Sequence, residues 1–228
     1  MRLRRITVNK FPKQEEILKA VLKGIEVAKE NFLFWTNDRL YLSHAPQKMI
    51  SIHVAQEIAK IEEAPEIFID ASVADILRCS LEDREAYYTY MRKNSLKQGT
   101  FSITLDERFK HKNDNDSVSR VIISIVNGIR NPKSEYTYEI ERICKMLNTS
   151  KEENSSLDYG VLAFYSDLSS TARKKLNIRI PVIINSFDEI VEKFPDLKSK
   201  FIGGRIVEVE DIGEYSIGAY VIERVLQK

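Results

Sequence analysis

Hydrophobic and polar positions along the chain follow two periods. Apolar residues spaced three or four positions apart predict amphipathic helices, whereas short and nearly continuous apolar runs predict buried strands. The helical pattern covers 12–29, 47–61, a segment through Ile76 and Leu77, 134–147, 169–176 and 187–201. The strand pattern covers 32–35, 40–43, 66–70, 86–91, 100–105, 121–126, 160–166 and 181–185. The last segments, 205–210 and 216–226, are expected to form a hairpin.

The stretch 119–147 organises the expected fold. It joins the strand 121–126 to an amphipathic helix through a loop that contains Gly128 and Pro132. Ser134 is expected to cap that helix, because serine side chains accept from the first free backbone amides. A strand, a loop and a helix N-terminus together form a cradle for an anion. The sequence therefore predicts a phosphate-type site here, although few side chains suited to phosphate are present.

Apolar strands that alternate with helices predict an α/β fold. The apolar runs suggest a mainly parallel sheet with helices on both faces. The formal net charge of +1 gives no overall attraction to nucleic acid or to a membrane. No apolar run is long enough to span a bilayer and no secretory signal is visible, so a cytoplasmic protein is expected.

Composition adds two smaller expectations. Cys79 and Cys144 both lie in apolar surroundings, which predicts two reduced thiols rather than a disulfide or a metal site. The chain is rich in Ile, Lys and Glu and poor in Gln, which is typical of thermophile proteins.

Several segments match one family in the right order. They are FLFWTNDRLYLS, YMRKNSLKQGTFSI, VIISIVNGIRNPKS and VLAFYSDLSSTARKKLNIRIPVIINSFDEIVEKF. On these segments the chain resembles the orotate phosphoribosyltransferase family over roughly 11–201, and the order of the matches carries more weight than any one motif. The resemblance implies one phosphoribosyltransferase-like domain over 1–204, with a small hood from 1–45, and a C-terminal extension of the same domain over 205–228.

The resemblance also implies where a site would lie. In the family, a flexible loop and a phosphate loop hold phosphoribosyl diphosphate, and a third group of residues faces the base. The corresponding candidates here are Arg92, Lys93 and Lys97 in the flexible loop, Asn127, Gly128, Asn131 and Ser134 in the phosphate-loop remnant, and Trp35 and Asp167 on the base side.

The departures from the family motifs are specific. Ile125 and Val126 stand where the family has two adjacent acids that bind the ribose hydroxyls. Ala74 and Asp75 replace a Gly-Gly pair, and Leu168 replaces an arginine that faces orotate. Phosphoribosyl transfer needs these charged groups together to orient the sugar and stabilise its developing charge. We therefore expect a phosphoribosyltransferase-like pseudoenzyme that serves as a binding, regulatory or assembly subunit.

That expectation has consequences for partners. The resemblance implies a homodimer, or a heterodimer with an active paralogue, and allows a phosphate or nucleotide ligand. No metal site and no cofactor are expected, with Mg²⁺ needed only if transferase activity survives. The alternative is an active phosphoribosyltransferase of pyrimidine nucleotide biosynthesis, acting on orotate or another base, with a rebuilt site. Its candidate carboxylates at strand ends are Asp70, Asp75 and Asp167.

Two further alternatives are weaker. A nucleic-acid-binding regulator would use the basic N-terminus, with Arg2, Arg4, Arg5 and Lys10, and the basic run 173–175, but the balanced overall charge argues against it. A nuclease would need the acids of 134–141 on a strand, whereas the apolar spacing there favours a helix.

Overall fold

A computed structural model describes residues 11–38, 41–107, 117–148, 154–209 and 213–225. Two short 3₁₀ turns occupy Leu42–His44 and Arg84–Ala86. The helices and strands, in chain order, are α1 (Gln14–Trp35), α2 (Gln47–Ile58), β1 (Glu66–Ser72), α3 (Val73–Ser80), α4 (Tyr87–Lys93), β2 (Thr100–Glu107), β3 (Val118–Asn127), α5 (Ser134–Leu147), β4 (Tyr159–Ser169), α6 (Leu176–Val191), β5 (Leu197–Val209) and β6 (Gly213–Arg224).

The six strands form one mixed sheet in the order β1-β2-β3-β4-β6-β5. Only β3 and β4 run parallel, and the other four neighbouring pairs in the described part of the chain are antiparallel. The predicted α/β class is confirmed, but the predicted mainly parallel sheet is wrong. A continuous apolar run indicates that a strand is buried on both faces. It does not indicate whether the strand runs parallel or antiparallel to its neighbours.

Two apolar cores lie on opposite faces of the sheet. Side chains of a strand alternate between its faces. In β3, Ile123 packs toward α1 and α2, whereas Ile122 packs toward α3, α5 and α6. In β4, Val161 and Leu162 divide in the same way. The sheet is therefore covered by helices on both faces.

The two helices of the first layer approach each other closely. A Cβ on Gly24 of α1 would lie 2.4 Å from the Cα of Val54 in α2. Only glycine allows the two helices to approach this closely. At this spacing α1 packs on β6 and α2 packs on β3.

The predicted strands 32–35 and 40–43 are wrong where the structure describes them. Helix α1 continues through Trp35 because no breaker follows its apolar stripe. It ends where Asn37 and Asp38 take positive φ angles of 50° and 58°. The segment Leu42–His44 is a 3₁₀ turn.

Two other strand predictions are also wrong. The aromatic-rich segment 86–91 forms most of α4, and Tyr90 fixes it by donating from its hydroxyl to the carbonyl of Lys145 at 2.6 Å. Segment 181–185 lies inside α6, which contains Pro181 and buries Ile180, Ile183 and Phe187 at helical spacing. Helix α6 ends at Val191, earlier than predicted.

The predicted C-terminal hairpin is confirmed. Strands β5 and β6 pair antiparallel from Leu197–Arg224 to Val209–Gly213, with a register shift at Gly203. Strand β6 also pairs with β4, so it lies inside the sheet and β5 forms an edge.

Candidate functional site

The loop predicted to hold phosphate uses two of its backbone amides in bonds within the protein. The amides of Gly128 and Ile129 both donate to the carbonyl of Tyr165, at 3.0 and 3.1 Å. Gly128 has a φ of +75°, and a Cβ there would lie 3.1 Å from the Cβ of Ser43. These amides join the end of β3 to β4 and are not presented to a ligand.

The side chains of the same loop are also engaged. Asn127 donates from Nδ2 to the carbonyls of Leu42 at 2.7 Å and Ala45 at 3.0 Å. The Oδ1 atom of Asn131 accepts from Arg179 Nη1 at 2.7 Å. Ser134 is exposed and is the first residue of α5, where Lys133 occupies the cap position without a side-chain bond. The predicted Ser134 cap is therefore wrong.

Asp167 lies in a buried ion pair. Its Oδ1 atom accepts from Arg130 Nη2 at 2.9 Å and from Arg130 Nε at 3.2 Å, and its side chain is 1% exposed. Its Oδ2 atom accepts from Ser43 Oγ at 2.8 Å. Through these bonds the Asp167 carboxylate, at the end of β4, connects the 3₁₀ turn Leu42–His44 to the loop after β3. Arg130 completes the pair, although no sequence pattern singled it out.

The remaining sequence candidates lie on the surface. Arg92 and Lys93 end α4, and Lys97 follows in the next connection, 5.8 Å from the ring of Tyr138. Trp35 is 63% exposed at the end of α1. These four residues do not line either of the two cavities described below, whereas Asn127 lines the smaller one.

The other candidates fall into three groups. Asp75 lies in the first turn of α3, where its amide donates to Ser72 Oγ at 3.1 Å and its carboxylate lies 3.4 Å from Arg78. The basic run 173–175 is exposed, and the basic N-terminal residues lie outside the described ranges. Acids of 134–141 lie on a helix.

A cleft opens where β2 and β3 separate. Their pairing ends at Ile103 and Ile123, whereas β1 stays paired with β2 to its end and β3 stays paired with β4 through Asn127. One bond still bridges the two strands, from the Ile125 amide to Ser102 Oγ at 3.0 Å. We call this opening the β2–β3 cleft.

The β2–β3 cleft has a volume of about 420 Å³, within the range of small-ligand sites. It lies beside the carboxyl end of β3, the kind of position where α/β proteins bind ligands. Its lining consists of Gln47, Asp70, Thr100, Ser102, Ser124, Ile125, Val126, Asn127, Glu135, Tyr136, Glu139 and Arg142.

Helix α5 supplies the charged wall of the cleft. Glu139 accepts at Oε2 from Ser124 Oγ at 2.8 Å and from Arg142 Nη2 at 2.7 Å. The same Nη2 atom donates to the carbonyl of Thr100 at 2.8 Å, and the guanidinium lies 4.1 Å from the ring centre of Phe101. Arg142 is 8% exposed, so this pair is held in one geometry. Charge-assisted bonds of this kind are among the stronger ones in proteins.

Asp70 forms the opposite side. It takes a positive φ of 57°, which is uncommon for a residue other than glycine, and its Oδ2 atom lies 2.5 Å from Lys48 Nζ. The sequence singled out Asp70 as a strand-end carboxylate, and the structure places it in the cleft. The amino-acid sequence did not point to Glu139 or Arg142 as site residues. They were visible only as polar residues within the apolar pattern of a helix.

Burial shifts the pKa of groups close to this wall. It raises the pKa of the Tyr136 hydroxyl above its ordinary value, with the Glu135 carboxylate adding to the shift. It also raises the pKa of the Cys144 thiol to about 12, so this thiol stays protonated at neutral pH. Both cysteines are free thiols; Cys144 is buried, whereas Cys79, which was expected to be buried, is half-buried.

A larger open cavity of about 910 Å³ lies at the other end of β3 and β4. Arg120 Nε lies 3.0 Å from Asp158 Oδ2, and Arg224 donates to the carbonyls of Leu147 and Ser155. The Tyr159 hydroxyl and Arg224 Nη2 in this lining are buried without a hydrogen-bond partner. We take the β2–β3 cleft as the candidate site because it lies beside the carboxyl end of β3, where α/β proteins bind ligands.

The wider comparisons identify no relative. Neither a family model, nor a curated protein, nor a solved structure matches the chain. The resemblance to orotate phosphoribosyltransferases therefore stays a prediction. In the ranges that the structure describes, no three His, Cys, Asp or Glu side chains are grouped to hold a metal ion. None of the described helices has the length and apolar character needed to cross a membrane.

Proposed function

We propose that this chain is a non-catalytic binding or assembly subunit and does not transfer phosphoribosyl groups. The observation that carries the proposal is the loop after β3, whose Gly128 and Ile129 amides are bonded to Tyr165. To hold a phosphate with these two amides, the loop would have to break both bonds and expose a buried carbonyl. An unsatisfied buried polar group costs about 1–3 kcal/mol, which opposes that rearrangement.

The positions expected to orient the ribose also support the proposal. Ile125 is 1% exposed and packs in the core, so an acid could not be placed there without a large loss of stability. Asp167, the carboxylate expected on the base side, is already paired with Arg130. Transferase chemistry would lack both its ribose ligands and a free base-side charge.

A relationship to the orotate phosphoribosyltransferase family is part of this proposal and rests on the order of the sequence motifs. The mostly antiparallel sheet counts against a phosphoribosyltransferase-like fold. Whether or not that relationship holds, the bonding of the loop argues against transfer of a phosphoribosyl group at this position.

Exposed aromatic residues support the assembly role. Phe34 and Trp35 are 83% and 63% exposed at the end of α1. Adjacent exposed aromatics often mark contact surfaces between proteins. We propose that this pair contributes to a dimer, either with a second copy or with an active paralogue.

The transferase question is tested by supplying phosphoribosyl diphosphate, Mg²⁺ and orotate, and measuring diphosphate release. Adenine, guanine, hypoxanthine and uracil are tested in parallel. We expect no release above a protein-free control. Release with any base would overturn the proposal.

The assembly role is tested by sedimentation. We expect a dimer that Phe34→Ser/Trp35→Ser converts to a monomer. The matched control is Ile178→Ser/Val182→Ser, which removes two apolar side chains of α6 that are 53% and 52% exposed. A dimer that survives the first variant but not the second would place the interface on α6.

A further inference from the structure

We infer that the β2–β3 cleft binds a small zwitterion of the α-amino-acid type, with its ammonium group facing the acids and its carboxylate facing Arg142. This inference rests on the binding role proposed above and assigns that role a ligand class.

The cleft leaves several acceptor atoms free. Glu139 uses only Oε2 for its bonds to Ser124 and Arg142, and the Lys48 contact of Asp70 uses only Oδ2. Asn127 Oδ1 is buried and has no hydrogen-bond partner, while its Nδ2 makes two bonds. An ammonium group carries three donors and is the natural complement of such a set.

One buried donor in the same lining lacks an acceptor. Arg142 is more than nine-tenths buried, and its Nε atom has no hydrogen-bond partner. An unpaired buried donor of a charged group is costly, so an acceptor supplied by a ligand would be favourable. A carboxylate is the acceptor that a guanidinium binds best.

The charges around the cleft are balanced, which favours a net-neutral ligand. Glu139 faces Arg142, Asp70 faces Lys48, and Glu135 lies 3.5 Å from Lys133. Lys48 and Lys133 have side chains that are 66% and 57% exposed. Exposed ion pairs contribute little, so an incoming ammonium group can replace these lysines at low cost.

The remaining walls accommodate a carbon skeleton. Ile125, Val126 and Tyr136 line the cleft beside the charged groups. A volume of about 420 Å³ leaves room for an amino-acid side chain of moderate size.

The test is titration calorimetry with the standard L-amino acids, added one at a time to the full chain at concentrations up to about 10 mM. For each amino acid that binds, two truncated probes follow, namely the amine without the carboxylate and the acid without the ammonium. We expect at least one amino acid to bind saturably and both truncated probes to bind at least about tenfold more weakly.

Variants locate the binding. Asp70→Asn keeps a side chain that tolerates positive φ and should weaken binding about tenfold, as should Glu139→Gln. Glu189→Gln removes an exposed acid of α6 outside the cleft and should leave binding unchanged. Circular dichroism melts establish that each variant is folded, and Asp70→Asn, at an exposed position, keeps the test decisive if Glu139→Gln unfolds.

Several results would overturn the inference. They are absence of amino-acid binding, equal binding of the amine alone, unchanged affinity in Asp70→Asn, and displacement of the amino acid by Mg²⁺ bound at the cleft. These outcomes leave the proposal of a non-catalytic subunit standing, because it depends on the loop after β3. Diphosphate release would overturn that proposal whatever the amino-acid titrations show, so the two failures are distinguishable.

Discussion

Replacing Arg130 by alanine should leave a buried carboxylate without its cationic partner. Asp167 is fully buried, and Arg130 donates twice to Oδ1 and once, from Nε at 3.1 Å, to the Asp167 carbonyl. Removing one member of a buried ion pair costs about 3–5 kcal/mol. Arg130 itself is 46% exposed, so water can reach part of the site. We therefore expect a loss of about 2 kcal/mol in the free energy of unfolding.

A second variant of the same experiment neutralises the Asp167 carboxylate. Asp167→Asn keeps an oxygen that can accept from Ser43 Oγ, and it leaves an arginine that water can solvate. We expect this change to cost about 1 kcal/mol. The double variant should be more stable than Arg130→Ala alone, because it no longer buries an unpaired charge.

The assay is urea unfolding followed by circular dichroism, with the midpoint and slope fitted for all four proteins. The Arg130→Ala loss corresponds to a fall of roughly 4–8 °C in melting temperature for a chain of this size. Arg173→Ala, at an exposed position before α6, is the control and should change nothing. If Arg130→Ala is as stable as the parent, or if the double variant loses the sum of the single losses, Asp167 is not held as described.

Three further predictions concern the elements that frame the cleft and the sheet. Gly128→Ala should lose about 1–2 kcal/mol in unfolding free energy, because φ is +75° and the new Cβ would press on Ser43; an unchanged melting temperature would contradict this. Glu214→Ala should also lose about 1–2 kcal/mol in unfolding free energy, measured by urea unfolding. The reason is that the buried Glu214 carboxylate accepts from the Leu176 amide at 2.5 Å, at the start of α6. Glu214→Gln should recover part of the lost stability. Burial raises the pKa of the Asp106 carboxyl, so the folded state binds its proton more tightly than the unfolded chain and ionisation at neutral pH opposes folding. Asp106→Asn should therefore stabilise the protein at pH about 7, with the gain disappearing below the ordinary carboxyl pKa; an equal gain at all pH values would show that charge is not the cause.

Helices and strands whose apolar residues recur at a regular spacing were predicted well from the sequence. Ile140, Ile143 and Leu147 recur at helical spacing and lie on the buried face of α5. The run 121–126 lies in the middle of β3, with helices covering both faces. In both segments the apolar pattern follows directly from which faces are covered, so pattern and structure agree.

Short apolar or aromatic runs were the main source of error. Runs of this length fit a strand or one face of a helix equally well, and tertiary contacts decide between them. Tyr90 anchors α4 on the end of α5 through its hydroxyl. The run 181–185 was predicted as a strand, but Pro181 lies in the second turn of α6, where only one backbone bond is lost.

The candidate site could be predicted only in part. Asp70 was predicted as a strand-end carboxylate and Asn127 as part of the phosphate-loop remnant that the resemblance implies, and both line the cleft. The separation of β2 from β3 has no local sequence signal, because it depends on strand register set by residues about twenty positions apart. Likewise, nothing local indicates that Arg130 pairs with Asp167, since the two meet only after β4 is in place.

The proposed non-catalytic role depends most on the closed state of the loop after β3. The direct measurement is the NMR chemical shift of the Gly128 and Ile129 amides during addition of phosphoribosyl diphosphate with Mg²⁺. We predict that both signals stay in place up to about 10 mM ligand, because both amides remain bonded to Tyr165. Saturable shifts of both amides would mean that the loop opens to hold phosphate, and would contradict the non-catalytic assignment.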